Sequence, residues 1–150
     1  MSGKQLQNRK AGRDYQILDQ VEAGIALTGT EVKSLRSGDS NFNDAFARIE
    51  SGEAWLYHFH IAPYEKGNRE NHEPRRRRKL LLHRRELDKL HQELTQKGHT
   101  LVPLKGYFKE GRFKVLLGVG KGKTHGDKRQ DLKQRDMQRQ IDRTLAARVR

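Results

Sequence analysis

The chain has 150 residues, 32 Lys plus Arg against 19 Asp plus Glu, a formal net charge of +13 and no cysteine. Only 33% of its residues are hydrophobic, below the roughly 45–50% (glycine included) of an ordinary soluble domain, which fits one small core. The lack of cysteine excludes disulfides and thiolate chemistry, no run of about 18 apolar residues offers a membrane span, and the polar start Met1 to Lys10 lacks the apolar stretch of a secretory signal, so a cytoplasmic protein is expected.

Tyr15, Ile17 and Val21 sit between polar residues with the period of a half-buried strand. Gly24 reads as a turn, and Ile25 to Thr28 as a further short strand. Thr30 is the candidate cap of a short helix carrying Val32 and Leu35 and stopped by Gly38. Asp44 to Glu50 and Glu53 to Ile61 flank Ser51-Gly52, a hairpin signal. On the second arm, alternation puts Trp55, Tyr57, Phe59 and Ile61 on one face and Leu56, His58 and His60 on the other. Residues 63–74 read as a polar loop bounded by Pro63 and Pro74. The clearest helix follows: Leu87, Leu90 and Leu94 recur at spacings of three and four, Glu93 and Lys97 form an i,i+4 pair, and Gly98 is a C-terminal cap. Leu101 to Lys109 and Arg112 to Val119 flank Glu110-Gly111, a second hairpin. Some six short strands with two helices predict a mainly β fold with flanking α-helices, a small closed antiparallel barrel over residues 1–120. Closure removes the exposed edges that such short strands would otherwise present.

Residues 121–150 differ in kind. Leu132, Met137, Ile141 and Leu145 are thinly spread among charges, too sparse a stripe to dock firmly. A basic tail is expected, disordered alone and helical when bound.

The charge is localised. Residues 1–74 hold nine basic and eleven acidic groups, whereas residues 75–85 hold seven basic and none acidic, and residues 121–150 hold ten basic and four acidic. Localised positive charge on a near-neutral body points to a polyanion, because phosphates neutralise it and release counterions. The blander reading is a solvated surface or a membrane-surface patch, but no helix with a lipid-facing apolar stripe accompanies the charge.

Several groupings carry candidate chemistry. Glu31 lies between Thr30 and the basic residues Lys33 and Arg36. It could accept bonds from base amino groups or 2′-hydroxyls, or serve as a first-turn acid of the helix. Asn71 and His72 close a loop rich in hydrogen-bonding groups and could read unpaired bases. That loop leads into Arg76, Arg78 and Lys79, which could meet phosphates. His58 and His60 could share a metal only with further ligands that the sequence does not supply, so no metal or cofactor is expected. Gly122-Lys123-Thr124 copies the end of a phosphate-binding loop, but Leu117 stands where that motif needs its first glycine. A glycine hinge before the tail is the expected reading.

Taken in order, Asn8-Arg9-Lys10-Ala11, Gly29-Thr30-Glu31-Val32-Lys33-Ser34-Leu35-Arg36, Pro63-Tyr64-Glu65-Lys66-Gly67-Asn68 and Asn71-His72-Glu73-Pro74 resemble the SmpB (SsrA-binding protein) family. Arg76, Arg78-Lys79-Leu80-Leu81-Leu82-His83, Glu86-Leu87, Lys121-Gly122-Lys123 and Asp127-Lys128-Arg129 continue the likeness in register, from Asn8 to about Arg135. The resemblance implies an oligonucleotide-binding-like barrel that binds the tRNA-like domain of transfer-messenger RNA. It places Asn8, Arg9, Lys10, Tyr15, Glu31, Leu81 and His83 on the RNA face. It assigns Lys121, Lys123, His125, Asp127, Lys128, Arg129, Lys133 and Arg135 to a tail that enters the decoding site and the empty messenger channel of a stalled ribosome, against ribosomal RNA. Elongation factor Tu and alanyl-tRNA synthetase are implied partners in the same pathway, the protein acting as a monomer that catalyses no bond change. The sequence departs from the family pattern at Thr124, where a second lysine is expected, and at Gly126, where histidine or an aromatic is expected and His125 stands one place early. The alternative is a general ribosome-associated structural protein.

Overall fold

The computed structural model describes residues 5–65 and 71–122. In chain order these form β1 (Leu6–Gln7), α1 (Arg9–Asp14), β2 (Tyr15–Ile25), α2 (Gly29–Arg36), β3 (Ser40–Asn41), β4 (Phe46–Glu50), β5 (Glu53–Tyr57), β6 (His60–Ile61), β7 (Arg78–Leu81), α3 (Arg84–Lys97), β8 (Thr100–Lys109) and β9 (Arg112–Gly122). Seven strands make one antiparallel sheet in the order β1-β8-β4-β5-β7-β2-β9, with β8 also paired to β9; β3 and β6 make a separate pair.

Both hairpins form where the turn residues predict them. Ser51-Gly52 and Glu110-Gly111 each hold two successive positive φ angles, 52° and 77°. Only a turn of that hand matches the twist of the flanking strands, and glycine adopts the second angle without steric cost. The predicted long helix also forms, ending at Gly98 with φ 64°. Its i,i+4 ion pair is Arg84–Asp88 at 3.3 Å rather than Glu93–Lys97.

Several local expectations give way to tertiary packing. Gly24 is no turn: β2 runs straight through it, paired to Leu81 on one side and Lys114 on the other. The expected alternation on the fifth strand also breaks. Ala54 and Leu56 face inward, His58 takes φ 61°, and this kink resets the phase so that Phe59 and Ile61 also face inward. His58 and His60 therefore share no strand face. The glycines before the tail are strand residues of β9, which continues two residues past the expected boundary at 120. A Cβ on Gly120 would lie 2.9 Å from Cβ of Tyr15, so the bare backbone is what allows the Tyr15 side chain to lie across it.

Inward side chains of β4, β5, β7, β8 and β9 meet in one core with Phe42, Phe59, Ile61 and Leu90 of α3. Among the described residues, no helix is long and apolar enough to cross a membrane.

Candidate nucleic-acid interface

Glu31 lies at the centre of a buried knot. Thr28, not Thr30, caps α2: its hydroxyl accepts from the Glu31 amide, and Glu31 Oε1 accepts from the Thr28 amide at 2.8 Å. The Glu31 side chain is 0% exposed. It also accepts from Arg76, at 2.6 Å through Nη2 and 3.2 Å through Nε, and from Nε of Arg78. Arg78, likewise 0% exposed, donates from its two Nη groups to the carbonyls of Phe59, Arg76 and Pro74. Burial pushes the Glu31 carboxyl up, but the Arg76 and Thr28 hydrogen bonds and the Arg78 charge outweigh it and hold the group below its ordinary value. Of the two expectations for Glu31, the first-turn acid of the helix is the one the structure fits: its carboxylate and the Arg78 guanidinium face inward and join α2 to β7 instead of facing a nucleic acid, while Arg76 keeps its side chain 35% exposed.

The next members of the basic run keep their side chains partly exposed but are also paired with acids. Arg77 lies 4.2 Å from the Trp55 ring and 3.5 Å from Glu50, and Lys79 lies 3.1 Å from Glu53. Repulsion between Arg76, Arg77, Arg78 and Lys79 is thus relieved by Glu31, Glu50 and Glu53, acids supplied by the first half of the chain, before any phosphate arrives. Asn71 and His72 serve the fold too. Asn71 bonds both backbone groups of Tyr64, at 2.8 and 2.6 Å. The two ring nitrogens of His72 meet Thr30 Oγ1 at 2.9 Å and the Ile61 carbonyl at 2.8 Å. Base reading by either side chain would break these bonds.

The outward-facing predicted residues divide between two ends of β2. At the Ile25 end, Leu81 is 52% exposed beside Gly24. It lines a groove of about 460 Å³ with Val32, His83, Phe108 and Lys114. Arg36 covers the Phe108 ring at 4.7 Å, and Lys33 lies 5.4 Å from the Tyr64 ring. An apolar floor rimmed by cations suits bases and ribose below and phosphates above. At the Tyr15 end, Asn8 fastens the N-terminal segment, donating from its side chain to the Pro103 carbonyl at 2.8 Å and from its backbone to Leu104 at 2.9 Å. Arg9 and Lys10 are exposed on α1, with Lys10 3.5 Å from Asp44. Tyr15 pairs with Gly122, and Lys121 is exposed opposite Gln16. The two ends are about 30 Å apart along the strand, at roughly 3.3 Å per residue. Lys123, His125, Asp127, Lys128, Arg129, Lys133 and Arg135 lie outside the described residues.

Sequence reasoning missed Phe108 and Lys114. Lys114 reaches the Leu81 groove because β9 pairs with β2, and Phe108 on β8 follows through the β8–β9 hairpin; the pairing of β9 with β2 is long-range and has no local signal. The cap was legible, since Thr28-Gly29-Thr30-Glu31 has the spacing of a capping box. Among the described residues, no group of three or more metal-ligating side chains is placed to hold an ion.

Residues 5–147 match the family model described as SmpB protein. The chain is 58% identical over 139 residues to the SsrA-binding protein of Enterococcus faecalis, covering 93% of this chain and 90% of the relative. The chain belongs to the SmpB family. The SsrA-binding protein of Bacillus subtilis is 56% identical over 145 residues, covering 96% and 93% of the two chains. A solved SmpB structure, from work described as "tmRNA-SmpB: a journey to the center of the bacterial ribosome", is 58% identical with a TM-score of 0.68, over 81% of this chain and 85% of that one. The resemblance read from the motifs is therefore borne out at the level of family.

Proposed function

We propose that this chain is an RNA-binding adaptor. It binds the tRNA-like domain of transfer-messenger RNA and delivers it to stalled ribosomes for trans-translation. The near full-length kinship with proteins named for binding SsrA carries the reading. The two separated outward ends fit it: the Leu81 groove with Lys33, Arg36 and His83 takes the folded RNA, and the Tyr15 end launches the tail. Residues 121–150 enter the decoding site and empty messenger channel. No step in this role needs a bond change, a metal or a cofactor. Elongation factor Tu and alanyl-tRNA synthetase act in the same cytoplasmic pathway, and the protein works as a monomer. We also read the sheet as a closed, oligonucleotide-binding-like barrel. The β8–β9 pairing supports this by joining the last strand of the order back to the second, with β8 meeting β4 at Leu101 and Ala47.

Competition binding tests the role. Fluorescent tRNA-like domain is displaced by itself or by an equal mass of ordinary tRNA at about 150 mM salt, where exposed charges are screened beyond about 8 Å. A preference of about tenfold or more, worth about 1.4 kcal/mol, is expected for the tRNA-like domain. Equal affinity would defeat shape-specific recognition and leave the general ribosome-associated reading in first place.

A further inference from the structure

A cleft of about 610 Å³ opens between α1, β4, α3 and the start of β8, at the Tyr15 end of the molecule. It exists because β4 and β8 pair at one position only, Ala47 with Leu101, and diverge on either side. Its floor is apolar, formed by Ala47, Ile49, Leu94 and Leu101. Around that floor stand Tyr15, Arg48, His91, His99 and Thr100. Among the described residues, no side chain of these five makes a hydrogen bond or ion pair; Arg48 rests only on the Phe46 ring, at 5.1 Å. His99 Nδ1 is buried and unpartnered, an arrangement that folding alone disfavours. A half-turn of its imidazole breaks no bond and presents a ring nitrogen on the other side. At the rim Lys10 and Arg48 stand against Asp14 and Asp44, and Lys10 is paired with Asp44 at 3.5 Å, which leaves Arg48 as the cation without a carboxylate partner among the described residues.

We propose that this cleft takes one unpaired nucleobase of an RNA partner. A base has two apolar faces and a polar edge. The faces suit the alanine and leucine floor, the edge suits imidazoles and hydroxyls that both donate and accept, and the attached phosphate suits Arg48. The volume lies within the range of small-ligand sites and holds a single nucleotide rather than a duplex. The inference rests on the RNA-binding reading above and adds a base-reading site about 30 Å along β2 from the Leu81 groove. Arg48, His91 and His99, none of which the motifs singled out, are its distinguishing residues.

The test uses the full chain, with its histidine side chains and amides followed by NMR. Adenosine, guanosine, cytidine and uridine 5′-monophosphates are added in turn to about 10 mM, with ribose 5-phosphate as the base-free control. At least one nucleotide is expected to shift the His91 and His99 imidazoles and the Ala47 and Thr100 amides, while ribose 5-phosphate leaves them in place. Arg48→Ala and His99→Ala should each weaken that nucleotide by about threefold or more, with amide dispersion confirming that the variants remain folded. Equal shifts with ribose 5-phosphate would reduce the site to a phosphate patch and overturn the proposal. So would shifts confined to Leu81 and Lys114, or none at all. Binding of the tRNA-like domain is measured on the same samples. Intact RNA binding with a silent cleft defeats this inference alone, whereas a responsive cleft without preference for that RNA defeats the adaptor reading.

Discussion

Glu31 is the carboxylate bonded to the buried Arg78 guanidinium, and Arg76 shares it. Removing one partner of such a pair leaves an uncompensated interior charge and typically costs about 3–5 kcal/mol. Glu31→Ala is therefore expected to destabilise the fold on that scale, as read by urea unfolding, and any loss of RNA binding should follow the loss of folded protein. A variant of undiminished stability would return Glu31 to a surface role. The pH dependence has a definite sign. The folded carboxyl titrates below its ordinary value of 4.5, so its contribution is complete above that pH and is lost as pH falls through the lower, folded value. Unfolding free energy should drop on acidification below about 4.5. In Glu31→Gln, which cannot titrate, that part of the slope should vanish; an unchanged acid profile would assign the slope to other carboxylates. The motif carrying Glu31 was plain in the sequence, but the choice between RNA contact and interior anchor depended on Arg76 and Arg78, 45 and 47 residues away.

At the scale of elements, the junction of β2 with β9 holds the Tyr15 end together. Tyr15 packs on Gly120, and a methyl group there would sit 2.9 Å from the Tyr15 Cβ. Gly120→Ala must push the strands apart or swing Tyr15 away, an overpacking cost of about 1–3 kcal/mol. Thermal unfolding should register the loss, and amide exchange should quicken from Tyr15 to Ile17 while the Ser51-Gly52 hairpin stays protected. Uniform quickening would show instead that the whole sheet opens as one unit. Hairpins and α3 were legible because their signals are local: paired turn residues, and leucines three and four apart. The continuation of β2 through Gly24 and the phase reset at His58 were not, because sheet pairing there overrides residue preference.

For the whole molecule, the two outward ends predict separable losses. The tail is best removed after Gly122, since a stop at Val119 would strip the rungs from Gly120 to Gly122 that pair with Ile17, Gln16 and Tyr15. Truncation after Gly122 deletes nine of the 32 basic residues. We expect it to keep affinity for the tRNA-like domain within about threefold and to abolish tagging on stalled ribosomes in a reconstituted translation assay. The salt dependence of RNA binding should persist, because each phosphate contact left on the folded part contributes about 0.7–0.9 to the log–log slope. Loss of RNA binding on truncation would mean that the tail, not the folded part, grips the RNA.

The family, the mainly β architecture, both hairpins, the long helix and the two concentrations of basic charge were legible in the chain alone. Each of these is written in neighbouring residues or in ordered motifs. The tertiary structure alone decided which charges are free. Along the run leading into β7, Arg76 and Arg78 turn to Glu31 while Arg77 and Lys79 turn to Glu50 and Glu53, acids distant in the chain. Glu31 and Arg78 are thereby committed to the interior, while Leu81, Phe108 and Lys114 are gathered into one groove. Whether a charged side chain faces water or a buried partner depends on which strands pair, and pairing joins residues that no local pattern relates.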